Sequence, residues 1–436
     1  MAAEITGLGV LSPLGHSAQS LLQSLLAGGR RPDGSTAFSA SSRLTEAAQA
    51  VTAPPETLLA AEVQDFDVTE YLGRGNLRPL DRTARLAAAA AATALGRIPG
   101  DHSPNPSTAA SDAEAGVEAA SPEAESETEV GLILGTMYGS VHTIASFDHR
   151  AQVAGPKYAK PMDFANSVIN AAAGQTAIWH GLTGINSTLS AGTASGAVAL
   201  AYGLQALRDG RSRKLLAGGA EELCWESYLA FHRAGLLRGQ EESPGFILGE
   251  GAALLCLEPE GVEGSRSLGR LLGAAMTFDP SRGEDPTLAS AALSGAVEEA
   301  LRQARREPAQ VAAAVLSCCG WEARDRAEAR GLAAVLGEQT PRVAVTALSA
   351  ALGHSLGASG ALQAAILLAA LAEGQLPGLP PAARKTAQIL EDEGFQPQQS
   401  PYDLDLSSHP VALVTAQALD GPTAALVFER PRSAKP

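Results

Sequence analysis

Residues 160–203 read KPMDFANSVINAAAGQTAIWHGLTGINSTLSAGTASGAVALAYG. A glycine-flanked turn around Gly192 feeds a helix of small residues, predicted over 195–209. The arrangement occurs again downstream. There Gly353-His354-Ser355-Leu356-Gly357-Ala358-Ser359-Gly360 leads into an apolar helix predicted over 357–372. Outward from these turns, continuous apolar runs at 130–135, 214–219, 252–257, 311–317 and 343–347 predict strands, the first (VGLILG) buried on both faces. Helical patterns at 288–305 and 325–336 lie between them, and another spans 81–96, with Asp81 as N-cap and Gly96 as stop. Strands alternating with helices predict a layered α/β fold with mixed sheets. The pattern runs to about residue 262 and restarts at Arg270-Leu271-Leu272-Gly273, so the chain divides into two related halves, 1–262 and 263–436.

Composition narrows the function. A chain of 436 residues, 45% hydrophobic, buries a large core without staples. Only 4% of residues are aromatic while 45 are Gly, so that core is built of Ala, Leu, Val and Ile with closely approaching backbones. The formal charge is −15. Residues 98–129 hold eight acids and no Lys or Arg, which leaves −7 on the other 404 residues. That segment has too little apolar surface to offset its ordering entropy and is expected to be a disordered insertion. An acidic chain lacks the cationic surface that nucleic acid or anionic membrane requires. The four cysteines, Cys224, Cys256, Cys318 and Cys319, form no CxxC pair, so neither a zinc site nor a disulfide framework is expected. The first residues lack the basic and apolar regions of a signal peptide, and the apolar run at 361–372 is too short to span a bilayer. These features predict a cytoplasmic protein with reduced thiols.

The quoted stretch, with Pro161, Asn170, Ala173-Gly174, Gly181, Gly184 and Ser195-Gly196, resembles the nucleophile region of β-ketoacyl-acyl-carrier-protein synthases, condensing enzymes of the thiolase fold. Further motifs fall in step: Thr6-Gly7-Leu8-Gly9, Asp81-Arg82, Ala217-Gly218-Gly219-Ala220-Glu221, Gly249-Glu250-Gly251-Ala252 and Gly353–Gly360. The resemblance covers nearly the whole chain outside the acidic insertion. It implies a duplicated, five-layered α-β-α-β-α architecture. It also implies a chemistry that needs a cysteine at a helix N-terminus, two histidines, a lysine and a backbone oxyanion hole, with no cofactor and no metal.

Against that set this chain has lost most positions. The nucleophile position is Thr193. The first histidine falls on Ser317 when aligned without gaps back from Ala327-Glu328, or on Cys319 when aligned on the glycine. The lysine position is Ser349, and only the second histidine remains, as His354. The glycine-rich oxyanion loop is replaced by Ala418-Leu419-Asp420-Gly421-Pro422-Thr423, with Leu419 at the oxyanion position. Such loss is similar to that of the chain-length factor, the ketosynthase β subunit, which pairs with a catalytic ketosynthase and bounds the tunnel that sets product length. The resemblance therefore implies a non-condensing subunit of a heterodimer that reaches acyl carrier protein through the complex. Residues 184–191 are then the dimer strand, residues 136–163 line or gate the tunnel, and Met137, Tyr138 and Phe164 are gate candidates. The alternatives are an acyltransferase or hydrolase using Thr193 with His354 as base, and a scaffold that recruits carrier protein without gating.

Overall fold

The computed structural model describes residues 1–48, 58–97, 129–238, 245–262 and 266–431. Apart from Glu129, the acidic segment 98–129 lies outside the described residues. The N-terminal half contributes β1 (Ala3–Leu11), β2 (Val130–Gly135), β3 (Asn186–Leu189), β4 (Lys214–Glu221) and β5 (Gly251–Pro259). The C-terminal half contributes β6 (Gly269–Phe278), β7 (Val311–Leu316), β8 (Ala344–Ala347), β9 (Val411–Gln417) and β10 (Pro422–Glu429). The ten strands join in the order β8-β7-β9-β10-β6-β1-β5-β4-β2-β3. Outward from the centre, each half runs first, fifth, fourth, second, third in its own chain order. The strand senses repeat as well: the first three strands in that outward order pair antiparallel, and the fourth outward, β2 or β7, pairs parallel with both neighbours. The duplication that the sequence pattern suggests is thus a repeat of topology. The halves meet where Ala3, Glu4 and Ile5 of β1 pair with Leu271, Arg270 and Gly269 of β6.

Six helices complete the layers: α1 (Arg82–Ala94), α2 (Ala171–His180), α3 (Ser195–Arg208), α4 (Pro286–Ala304), α5 (Glu322–Leu336) and α6 (Ser359–Glu373). Helices α1 and α2 cover one outer face and α4 and α5 the other, while α3 and α6 lie between the halves. The central pair approaches closely because small residues meet there. A Cβ added at Gly360 would come within 2.8 Å of Ala197, and one at Gly196 within 3.1 Å of Ala361. This is the thiolase-like, five-layered α/β architecture. The segment Leu356–Glu373 is the one helix among the described residues long and apolar enough to cross a membrane, and 83% of it is buried within the fold.

The local signals act as expected. Asp81 caps α1 through a 2.9 Å bond from the Ala84 amide, and Gly96 ends the helix with φ +78°. Arg208, the last residue of α3, bonds the carbonyls of Met1 and Leu272, each at 2.9 Å, and the side chain of Gln303. Its long side chain thereby ties the central helix to the C-terminal half.

Candidate active site

The turn before α3 is held by Ser195. Its hydroxyl donates to the carbonyl of Gly192 at 2.6 Å and accepts the Ala191 amide at 2.9 Å. Gly192 has φ +56°, and a Cβ there would overlap Asp420 Oδ1 and come within 2.9 Å of the Ala418 Cβ. The loop carrying Leu419 therefore does pack against the nucleophile turn. It brings a carboxylate with it. Negative charge opposes the oxyanion of acyl transfer, and Pro422 adds no amide donor.

Thr193 sits two residues ahead of α3 and is buried. Its hydroxyl donates to the Gln417 carbonyl at 3.4 Å. His354 is buried against Phe246, with ring centroids 5.0 Å apart. Its Nδ1 accepts the Leu356 amide at 3.1 Å, so the neutral ring carries its proton on Nε2 and offers a donor there, not a base. Burial, and then the charge of Arg324, push this imidazole down to about 4. The bond also supports strain, because Leu356 has φ +44°, a region branched side chains avoid. Nothing in these bonds makes His354 a base for Thr193.

Ser317, Ser349 and His354 come together around a cavity of about 20 Å³, which holds about one water. Both serines are committed. The Ser317 hydroxyl donates to Glu328 Oε1 at 2.8 Å and accepts the Gln417 amide at 3.2 Å, while its own amide donates to Glu328 at 2.9 Å. The Ser349 hydroxyl donates to the Cys318 carbonyl. Burial, and next Asp325, push the Cys319 thiol well up, which disfavours its thiolate form. Among the described residues no group of three or more His, Cys, Asp or Glu could hold a metal ion.

The gate candidates separate. Met137 and Tyr138 pack beside the buried aromatic cluster of Tyr228, Phe231 and Phe246, close to His354, and Leu419 joins the same cluster. Their amides donate to the buried Glu221, which also takes the Gly357 amide. Phe164 is 66% exposed and touches Phe147, with ring centroids 5.9 Å apart. The segment preceding β3 carries six more exposed large hydrophobic side chains: Val153, Tyr158, Met162, Val168, Ile169 and Ile178.

Sequence reasoning missed Arg324. It lies in the first turn of α5, is 8% exposed, and has a buried Nη2 without a hydrogen-bond partner. The available signal was a cation three residues after Trp321, inside the stretch that replaces the first histidine motif.

Strand order, layers and the paired glycine-flanked turns define a thiolase-like scaffold. The family profile "Beta-ketoacyl synthase, N-terminal domain" matches residues 3–261, and "Beta-ketoacyl synthase, C-terminal domain" matches residues 268–382. The chain belongs to the β-ketoacyl synthase family. A 3-oxoacyl-[acyl-carrier-protein] synthase 2 of Synechocystis sp. is 25% identical over 389 residues, covering 86% of each chain. Among solved structures, the ishigamide ketosynthase/chain length factor superposes with TM-score 0.79 at 22% identity, covering 99% of each chain. A type II polyketide synthase acyl carrier protein in complex with its ketosynthase bound to the hexaketide matches with TM-score 0.72 at 19% identity, also covering 99% of each.

Proposed function

We propose that this chain is a non-condensing ketosynthase-like subunit of chain-length-factor type. It pairs with a catalytic ketosynthase in the cytoplasm, shapes the acyl chamber, and meets acyl carrier protein through the complex. The observation that carries this reading is the site itself. Thr193 has no base, the two serines at the lost histidine and lysine positions are bonded into the fold, and Asp420 abuts the nucleophile turn. Decarboxylative condensation has no group left to drive it. Two further features support pairing: β3 is an edge strand of the sheet, and the exposed apolar side chains lie in the segment that leads into it. The likeness to a ketosynthase/chain length factor structure agrees with the reading.

Within it, residues 1–262 and 263–436 act as the two halves of one body, and Met137 and Tyr138 are the gating residues. The test is a reconstituted pair of this chain with a ketosynthase that retains the full catalytic set. Tyr138→Ala and Met137→Ala in this chain are expected to change product length while the partner's turnover persists. Unchanged product length in both variants contradicts the gating role.

A further inference from the structure

The geometry points to a buried carboxylate-binding site at Arg324, which we propose takes the carboxylate of a small ligand. The guanidinium is 8% exposed, and its Nη2 has no hydrogen-bond partner. Three carboxylates act on it electrostatically, Glu328, Asp325 and Asp279. Each is committed to other donors. Asp325 takes the amides of Cys319 and Gly320, both at 2.9 Å, and the Thr386 hydroxyl at 3.1 Å. Glu328 takes Ser317 at 2.8 Å and Thr415 at 2.6 Å. Asp279 takes Ser281 at 2.6 Å and the Gly283 amide at 2.7 Å. The acidic groups around Arg324 thus serve the loops they belong to, and a planar fork of N–H donors remains unfilled.

A buried cation with an unfilled donor is costly, and folded proteins seldom keep one without a partner. The guanidinium fork matches a carboxylate in shape and charge. Arg324 performs no step of condensation, so the site does not depend on the pairing function proposed above.

The test uses the full chain and formate, the smallest carboxylate. Thermal unfolding is followed in sodium formate and in sodium chloride at equal ionic strength. At tenfold over its dissociation constant, formate is expected to raise Tm by about 1–2 °C beyond chloride. R324Q is expected to abolish that difference and R324K to keep part of it. Equal responses to formate and chloride in the wild-type protein overturn the proposal, as does an undiminished formate response in R324Q. If R324Q does not fold, the side-chain N–H signal of Arg324 in arginine-labelled wild-type protein decides, with R324K locating it. Formate must shift that signal and chloride must not, and the opposite result overturns the proposal.

Discussion

Arg82→Met is the substitution whose consequence the structure defines most fully. The Glu250 side chain is fully buried. Arg82 grips it with Nε at 2.8 Å and Nη2 at 2.5 Å, Arg43 adds a bond at 2.9 Å, and the amides of Val63 and Leu223 donate at 2.9 and 3.2 Å. Arg43 is the more exposed of the two cations. Removing Arg82 leaves a buried carboxylate short of its main counter-charge, a loss of about 3–5 kcal/mol. The pH dependence has a definite sign. Burial alone raises the Glu250 carboxyl, but Arg82 and Arg43 outweigh it and hold the group below its usual range. The wild-type contribution is therefore present above the unfolded pKa near 4.5 and fades as pH falls through the folded value. In the variant the carboxyl protonates more readily, so the deficit is largest at pH 7 and shrinks toward pH 4. Urea unfolding followed by circular dichroism at both pH values measures this. Arg82→Met with Glu250→Gln should recover most of the loss. A deficit under about 1 kcal/mol at pH 7, or one that does not change with pH, refutes the reasoning.

Three further outcomes follow from the site and its surroundings. Thr193→Cys restores a thiol but no histidine or lysine, so condensation of an acyl and a malonyl thioester, followed by mass spectrometry, should stay at background. Gly192→Ala forces a Cβ onto Asp420 at φ +56° and should cost about 1–3 kcal/mol in chemical denaturation, part of it recovered by adding Asp420→Ala. Burial, and then the charge of Asp81, push Glu222 up to about 8, and its Oε1 has no partner. A raised carboxyl pKa weakens the fold as pH climbs from about 4.5 through 8, so Glu222→Gln should gain on the order of 2–4 kcal/mol at pH 9 and almost nothing at pH 5.

Much of the fold was readable because buried parallel strands require unbroken apolar runs. VGLILG could be little else, and the restart at Arg270-Leu271-Leu272-Gly273 marks the first strand of the second half. The placement of Thr193 just ahead of α3 and of His354 just ahead of α6 was legible for a related reason: the glycines around them permit the close packing of the two helix starts. The partners of those side chains were not legible. That His354 spends Nδ1 on Leu356, that Asp420 lies on Gly192, and that Arg324 is left with an unfilled donor all depend on loops brought together from distant parts of the chain. Met137, Tyr138 and Phe164 looked alike in sequence, but the first two turn into an aromatic cluster and the third faces outward. Periodicity assigns faces within one element and carries no information about neighbours from another.

The account stands most directly on partnership. The decisive measurement is native mass spectrometry of this chain co-expressed with ketosynthases encoded beside it. A one-to-one complex with a ketosynthase that retains cysteine, both histidines and lysine is the predicted result. A stable homodimer of this chain that never co-purifies with such a ketosynthase contradicts it.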